Sequence, residues 1–321
     1  MSTGEIRFWG SGALNIDYFY EVEDLRRFSL GKRSLIPGGE VWCSRKELER
    51  LRKDLEQEAK FLGRCGGGSA ANTIYALKKW GFPCGFIGLV GNDQEGDLAL
   101  AELEGIDLSH IWRKGQTSCS LILLDHKKDR TIVVCPHTDE KSLVYQPIPM
   151  VKGWLHLSSF VSKEGLSFHC ALVQRHQGPI SFDPGEIYAS WGLRSLKPIL
   201  ARTFYLFITK QELSILKTSP EKLSQQGINS IFLKKGAEGA QVWQKGQTKS
   251  IPSFRVSEIR DNTGAGDVFD AGVLAALAAG LPVEKAAHVG VKLAALSLRD
   301  YGRKGIPSYQ EFKQILKEYT S

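Results

Sequence analysis

From Trp154 onward the chain alternates short apolar runs with helical stretches, and this alternation limits its possible folds more than any other feature. Strand-like runs are expected at Trp154 to Phe160, Pro179 to Asp183, Thr203 to Thr209 and Asn229 to Lys234. Between them, helical runs are expected at Ser162 to His176, near Leu193 to Ala201, and at Lys210 to Leu216. A chain that inserts a helix after each strand crosses over before starting the next, which makes the sheet parallel and puts helices on both faces. Ala240 to Gln244 and Thr248 to Phe254 are close enough to pair antiparallel, and helices at Val268 to Ala279, Val283 to Arg299 and Ser308 to Tyr319 finish the chain.

The N-terminal half is less regular. Ile6 to Tyr20 reads as a strand running into a loop. Ser44 and Glu47 have capping-box spacing and open a charged helix to about Leu62, with Leu48, Leu51, Leu55 and Ala59 along one face. Gly66 to Asn72 is a glycine-rich turn entering a helix at Ala70 to Trp80. Phe86 to Gly91 is strand-like and Gln94 to Leu103 helical. Ser118 to Leu124 and Arg130 to Cys135 read as paired strands joined by the polar turn Asp125 to Asp129. With no repeat or low-complexity linker, one major α/β domain is expected, carrying a smaller β lid from its N-terminal half.

Composition excludes several classes. Apolar residues are 42% and charged residues 24% of 321, ordinary for a globular chain with a sizeable core. The net charge is +7, but Lys and Arg are scattered or interleaved with acids, which points away from nucleic acid and toward a solvated surface compatible with a polyphosphate substrate. The six cysteines form no C-x-x-C pair, and the seven histidines stand at no metal-ligand spacing. Met1 to Trp9 lacks an apolar signal core and no run reaches membrane-spanning length, so a cytoplasmic protein is expected.

The chemistry concentrates in Asp261-Asn262-Thr263-Gly264-Ala265-Gly266-Asp267. The glycines allow a tight turn with N–H groups close to a ligand, and the following helix points its positive end at the same place. A carboxylate beside a bound anion repels it. Asp267 therefore needs a task, and taking a proton from a hydroxyl that attacks phosphate is one; capping the helix is the bland alternative. Gly67, Gly68 and Asn72 form a second glycine turn with an amide just inside a helix. Asn15 and Asp17, two apart on a strand, face one side and suit vicinal hydroxyls, or else form an Asx turn. Lys235 lies in the Gly-bearing turn Lys234 to Gly239, where it could contact phosphate or simply be a solvated turn residue. Glu212 stands one turn into a helix, where it could steer hydrated Mg²⁺ through water.

In this order the segments resemble the ribokinase-like (PfkB) carbohydrate kinase family. Gly67-Gly68 to Asn72 is similar to its first signature, continued by Phe86 to Asp97, and Asp261 to Asp267 to its second. The resemblance implies a Rossmann-like, mostly parallel sheet over 1–321 and a β lid from about 17–43 and 115–136. It also implies ATP and Mg²⁺, with Asp267 as base and Gly264, Ala265 and Gly266 as anion hole. Asn15, Asp17, Gly67, Gly68 and Asn72 would bind the acceptor, and Lys235, Gly236, Gly239, Thr263 and Val291 the nucleotide. Asp261 resembles a residue that helps bind a monovalent cation such as K⁺ in some members, and lids of this type often clasp a second subunit, giving a homodimer.

The chain departs from the pattern at Thr209, where the family has Asn, and at Lys234-Lys235-Gly236, where it has Thr-x-Gly. It also departs at Val291, at Gly185-Glu186 after Asp183-Pro184, and at Ser158 and Ser159, where an acid is common. The helical insert Ser44 to Leu62, Gly68 to Thr73 and Asp129-Arg130-Thr131 are similar to adenosine-kinase-like members. A small sugar or sugar-like acceptor is therefore expected, with a nucleoside as the alternative, its base near Phe19, Tyr20, Trp42 and Val133. A non-catalytic sensor of sugar or nucleotide is a third reading, against which the intact Gly-Ala-Gly-Asp speaks.

Overall fold

The computed structural model describes residues 7–37, 39–125, 130–256 and 259–320. Its larger sheet has nine strands. Across the sheet they run Gln247–Ile251, Ala240–Gln244, Ser230–Lys234, Tyr205–Thr209, Ile180–Asp183, Trp154–Ser158, Phe8–Ser11, Cys84–Val90 and Asp107–Arg113. All neighbours are parallel except the pairs made by Ala240–Gln244. The strand-helix alternation thus builds the expected parallel sheet. The strands' C-terminal ends at Ser11, Ser158, Asp183, Thr209 and Lys234 line one edge, where open α/β sheets place ligands.

A five-stranded sheet runs Glu40–Trp42, Arg130–Cys135, Ser118–Leu124, Asn15–Glu21 and Lys60–Gly67. It differs from the expected lid. Lys60–Gly67 is a strand paired with Asn15–Glu21, so the charged helix ends at Glu58 rather than near Leu62, and the segment opposite Asn15 and Asp17 was missing from the expected lid boundaries. The reason is local: Ala59 already adopts extended backbone (φ -130, ψ 157) and leads straight into the strand, while Leu62, three residues past Ala59, keeps the helical spacing in the sequence and masks the break. Ile6 to Tyr20 is likewise two strands in two sheets, split at Gly12-Ala13-Leu14. Asn15 and Asp17 therefore begin a smaller-sheet strand instead of ending a larger-sheet one. The turn at 126–129, including Asp129, lies outside the described residues, as do 257–258 and the first six residues.

Asp107–Arg113 is a strand that sequence periodicity did not reveal, because its residues are all half-buried or exposed at the sheet edge. The second-signature helix begins at Ala265, so Asp267 lies inside its first turn. Gly264 caps it at φ +77, a conformation that favours glycine. This helix, Ala265–Ala278, packs on Val283–Ser297 through close glycine contact: a Cβ on Gly272 would stand 2.9 Å from Gly290 Cα. Among the described residues, no helix is long and apolar enough to cross a membrane.

Candidate active site

Both signature turns meet at the C-terminal edge of the larger sheet. Gly68, at φ +100, caps the helix Ser69–Lys79, and a Cβ there would overlap the Ala13 carbonyl. Ser69 and Asn72 are three apart and share a helix face. That face meets Asp267. The Ser69 hydroxyl donates to Asp267 Oδ1 at 2.5 Å, and the Asn72 amide donates to Oδ2 at 2.8 Å. The carboxylate remains half-buried, and its four acceptor positions leave capacity beyond these two bonds. Its Oδ2 also lies 3.7 Å from where a Cβ on Gly264 would stand, so the acid sits against the Gly264 to Gly266 turn. Burial pushes its pKa up to about 6, against the pull of Ser69, Asn72 and the nearby Lys234 ammonium.

On the acceptor side, Asn15, Asp17 and Phe19 share one face of the smaller sheet. The Asn15 amide donates to Asp17 Oδ1 at 2.6 Å and reaches Ser120 Oγ at 3.5 Å. A Cβ on Gly67 would overlap Asp17 Oδ2, so only glycine lets this strand pass under the pair. The structure thus brings Asn15, Asp17, Gly67 and Gly68 together. Asn72 joins the wall of the same cleft with Asp17, Gly264 and Arg303, but its side chain bonds to Asp267 and Arg303 rather than to Asn15 or Asp17. Of the residues considered for a nucleobase, Tyr20 and Val133 turn to the other face, in the cluster of Leu48, Leu51 and Leu55. Phe19 is buried with Ile122 and Leu124 and lies 6.1 Å from the Tyr301 ring, while Trp42 is exposed.

On the donor side, parity decides which lysine enters. Lys234 ends its strand pointing inward, and its Nζ pairs with Asp183 Oδ2 at 2.6 Å and Asp270 Oδ1 at 3.4 Å. It also comes within 3.4 Å of a Cβ position on Gly266, beside the same glycine turn. Lys235 points outward and pairs with Glu238 at 3.2 Å. Gly236 and Gly239 have φ +58 and +86, and Lys235 N–H donates to the Gly239 carbonyl at 2.9 Å, closing a tight turn over the sheet edge. Val291 is buried in the same core cluster as Phe269 and Val273. Ser158 spends its hydroxyl accepting the Ala70 N–H at 2.8 Å, capping the first-signature helix where an acid is common.

The acids near Lys234 respond to burial. Asp270 is fully buried and its pKa is raised well above the carboxylate range, chiefly by desolvation. Glu212 is pushed up to about 7 by the same cause. Asp183 is held below its ordinary value: burial opposes this, but the Lys234 charge outweighs it. Glu212 completes a capping box, its Oε2 accepting the Thr209 N–H at 3.0 Å. Among the described residues, no three His, Cys, Asp or Glu are grouped to hold a metal. A resident divalent ion does not fit here, because the Lys234 ammonium already pairs with Asp183 and Asp270 and Glu212 is engaged in its capping box. Asp261 anchors its loop, Oδ1 accepting from Thr263 N–H (2.9 Å) and hydroxyl (2.6 Å) and Oδ2 from Gly302 N–H (2.9 Å).

Sequence reasoning missed Ser69, Lys234, Asp270, Glu102 and Arg303. Ser69 and Asp270 carry a usable signal, each three residues from a chosen residue on one helix face. Lys234 needed strand parity. Arg303 offers no local signal, since it meets Asn72 from 231 positions away.

Residues 42–307 match the family of pfkB carbohydrate kinases. The chain is 32% identical over 248 residues to an uncharacterized sugar kinase of Archaeoglobus fulgidus, covering 72% of this chain and 98% of that one. It is 30% identical over 277 residues to a fructokinase of Klebsiella pneumoniae, covering 78% and 88%. The nucleoside kinase of Methanocaldococcus jannaschii superposes with a TM-score of 0.76 at 20% identity, over 97% of this chain and 98% of that chain.

Proposed function

The chain belongs to the pfkB family of carbohydrate kinases, and from that premise we propose how its residues divide the work. The enzyme phosphorylates a hydroxyl of a sugar or nucleoside using ATP. Asp267 takes the proton of the attacking hydroxyl. A base works best with a pKa near the working pH, and its elevation to about 6 beside the anion-hole turn is the observation that carries the reading. The amides of Gly264, Ala265 and Gly266 stabilise charge on the transferring phosphoryl, and the helix N-terminus adds its dipole. Asn15 and Asp17 hold the acceptor's hydroxyls for in-line attack, with Gly67 and Gly68 giving it room. The nucleotide lies along the turn from Lys235 to Gly239, its phosphates reaching Thr263 and the inward Lys234.

The acceptor is a small sugar. Two of the four side chains considered for a base slot are beneath the helix Arg45–Glu58, and a third is covered by Tyr301. A screen of sugars and nucleosides with ATP and with ADP tests this. Turnover with a sugar and ATP is expected. Preference for a nucleoside would overturn the acceptor assignment, and tight binding without turnover of any acceptor would make the chain a sensor.

A further inference from the structure

Asn72 presents its amide nitrogen to Asp267, and something must keep it from presenting its carbonyl, which has nearly the same shape but would repel a carboxylate. The Arg303 Nε–H donates to Asn72 Oδ1 at 3.0 Å. An arginine only donates, so it can bind the carbonyl end alone, and the nitrogen end is left facing the acid. The guanidinium is itself fixed on two sides, and the backbone before it is anchored. Its Nη1 meets Glu102 Oε2 at 3.2 Å, its plane lies 5.0 Å over the Tyr75 ring, and the preceding Gly302 N–H is held by Asp261 Oδ2. Glu102 Oε2 also accepts the Gly66 N–H at 2.6 Å, tying the first glycine turn to the same group. Arg303 is 6% exposed, and no part of the chemistry described above uses it.

We infer that Arg303, held by Glu102, is a positioning residue for the reaction: it locks the Asn72 amide so that its N–H orients and stabilises the ionised Asp267. This rests on Asp267 being the base. The other groups that face Asp267 are Ser69 on the same helix as Asn72, and the charges of Lys234 and Asp183, with Asp270 one turn along its own helix. Arg303 bonds to Asn72 and Glu102 instead of to these groups, so the arginine can be changed without removing their contacts. Losing the lock removes a charge-assisted hydrogen bond from the ionised acid, and the acid then holds its proton to higher pH.

The test measures kcat and both KM values against pH for Arg303→Met, Arg303→Lys, Glu102→Gln and Asp267→Asn, each first checked for thermal unfolding. Arg303→Met is expected to lose roughly ten- to a hundredfold in kcat near neutral pH, the size of one hydrogen bond to a charged group. Its KM for ATP should stay put, and its acid limb should move up by as much as about one pH unit, so that part of the rate returns in alkali. Arg303→Lys, which can still donate to Oδ1, should recover part of the loss, and Glu102→Gln should shift the limb the same way by less. On an Asp267→Asn background Arg303→Met should add little, since the two act as one unit. An equal fall at all pH values, with the acid limb fixed in Arg303→Met and Glu102→Gln, overturns the inference. Should Arg303→Met fail to fold, the Glu102→Gln limb decides alone. Near-normal turnover of Asp267→Asn would instead remove the base assignment, a separate outcome.

Discussion

Two aspartates one turn apart on a single helix meet opposite surroundings. Asp267 faces neutral donors, Ser69 and the Asn72 amide, with the nearest arginine one residue removed behind the amide. Asp270 faces Lys234 inside a fully buried group of acids. On the acceptor wall the acid can gain and lose a proton near neutral pH. On the donor wall three acids, Asp183, Asp270 and Glu212, share one ammonium. Burial favours the protonated form of Asp270 and raises Glu212 to about 7, while Asp183 stays ionised as the partner of Lys234. Asp267 stands alone against neutral donors, whereas Asp270 belongs to a group of acids centred on the Asp183–Lys234 ion pair.

The largest expected effect breaks the first wall. Asp267→Asn removes the base while keeping both donors' shape, and should lower kcat by about 10²- to 10⁴-fold, the usual contribution of general base catalysis. Nucleotide affinity, measured by calorimetry, should hold. Near-normal turnover would equate the two aspartates as structural acids.

Lys234→Met is the matching cut on the other wall. It leaves Asp183 buried without its counter-charge, so unfolding in urea at pH 7.5 should show a loss of about 3–5 kcal/mol, as for broken buried pairs. The sign with pH follows from the carboxylates: at pH 5.5 more of them are protonated, and the deficit should shrink. A deficit that grows in acid would mean that Lys234 does not neutralise Asp183.

Acceptor geometry comes next in size. Gly67→Ala places a methyl against Asp17 Oδ2 and Asn15 Nδ2, an overpacking worth about 1–3 kcal/mol. The KM for the acceptor should rise, because Asp17 and Asn15 are displaced, with the KM for ATP unchanged. Both rising together would move Gly67 out of the acceptor wall. For the unaltered enzyme, activity should climb with pH through about 6 as Asp267 ionises, falling roughly tenfold per pH unit well below that value. A limb below pH 4 would show an acid unperturbed by burial.

The two walls also differ in how far they could be read from residues alone. The acceptor wall was legible because its motifs are local. Gly67, Gly68, Asn72, Asn15 and Asp17 each announce a turn or a shared strand face, and the larger sheet followed from the strand-helix alternation. What escaped depended on distant contact. The partner strand Lys60–Gly67 carries no clean alternation and hid behind a charged helix. Arg303 and Glu102 meet Asn72 and Gly66 only once the sheets are assembled. On the donor wall the lysine pair was visible, yet the choice between 234 and 235 turned on a one-residue parity that strand boundaries must fix first.

The smallest effect is expected at Thr209, where the donor wall departs from the family's asparagine. Its hydroxyl accepts the Glu212 N–H at 3.2 Å while Glu212 returns a bond to the Thr209 N–H. Asparagine caps helices at least as well as threonine. Thr209→Asn should therefore leave stability within about 0.5 kcal/mol, whereas Thr209→Ala, which abandons the Glu212 N–H, should lose about 1 kcal/mol. If the cap is all that Thr209 provides, turnover of Thr209→Asn stays near that of the unaltered enzyme. A large change in the KM for ATP without a change in stability would show that the substitution at this position bears on the nucleotide, and that the donor wall is more than a fixed ion pair.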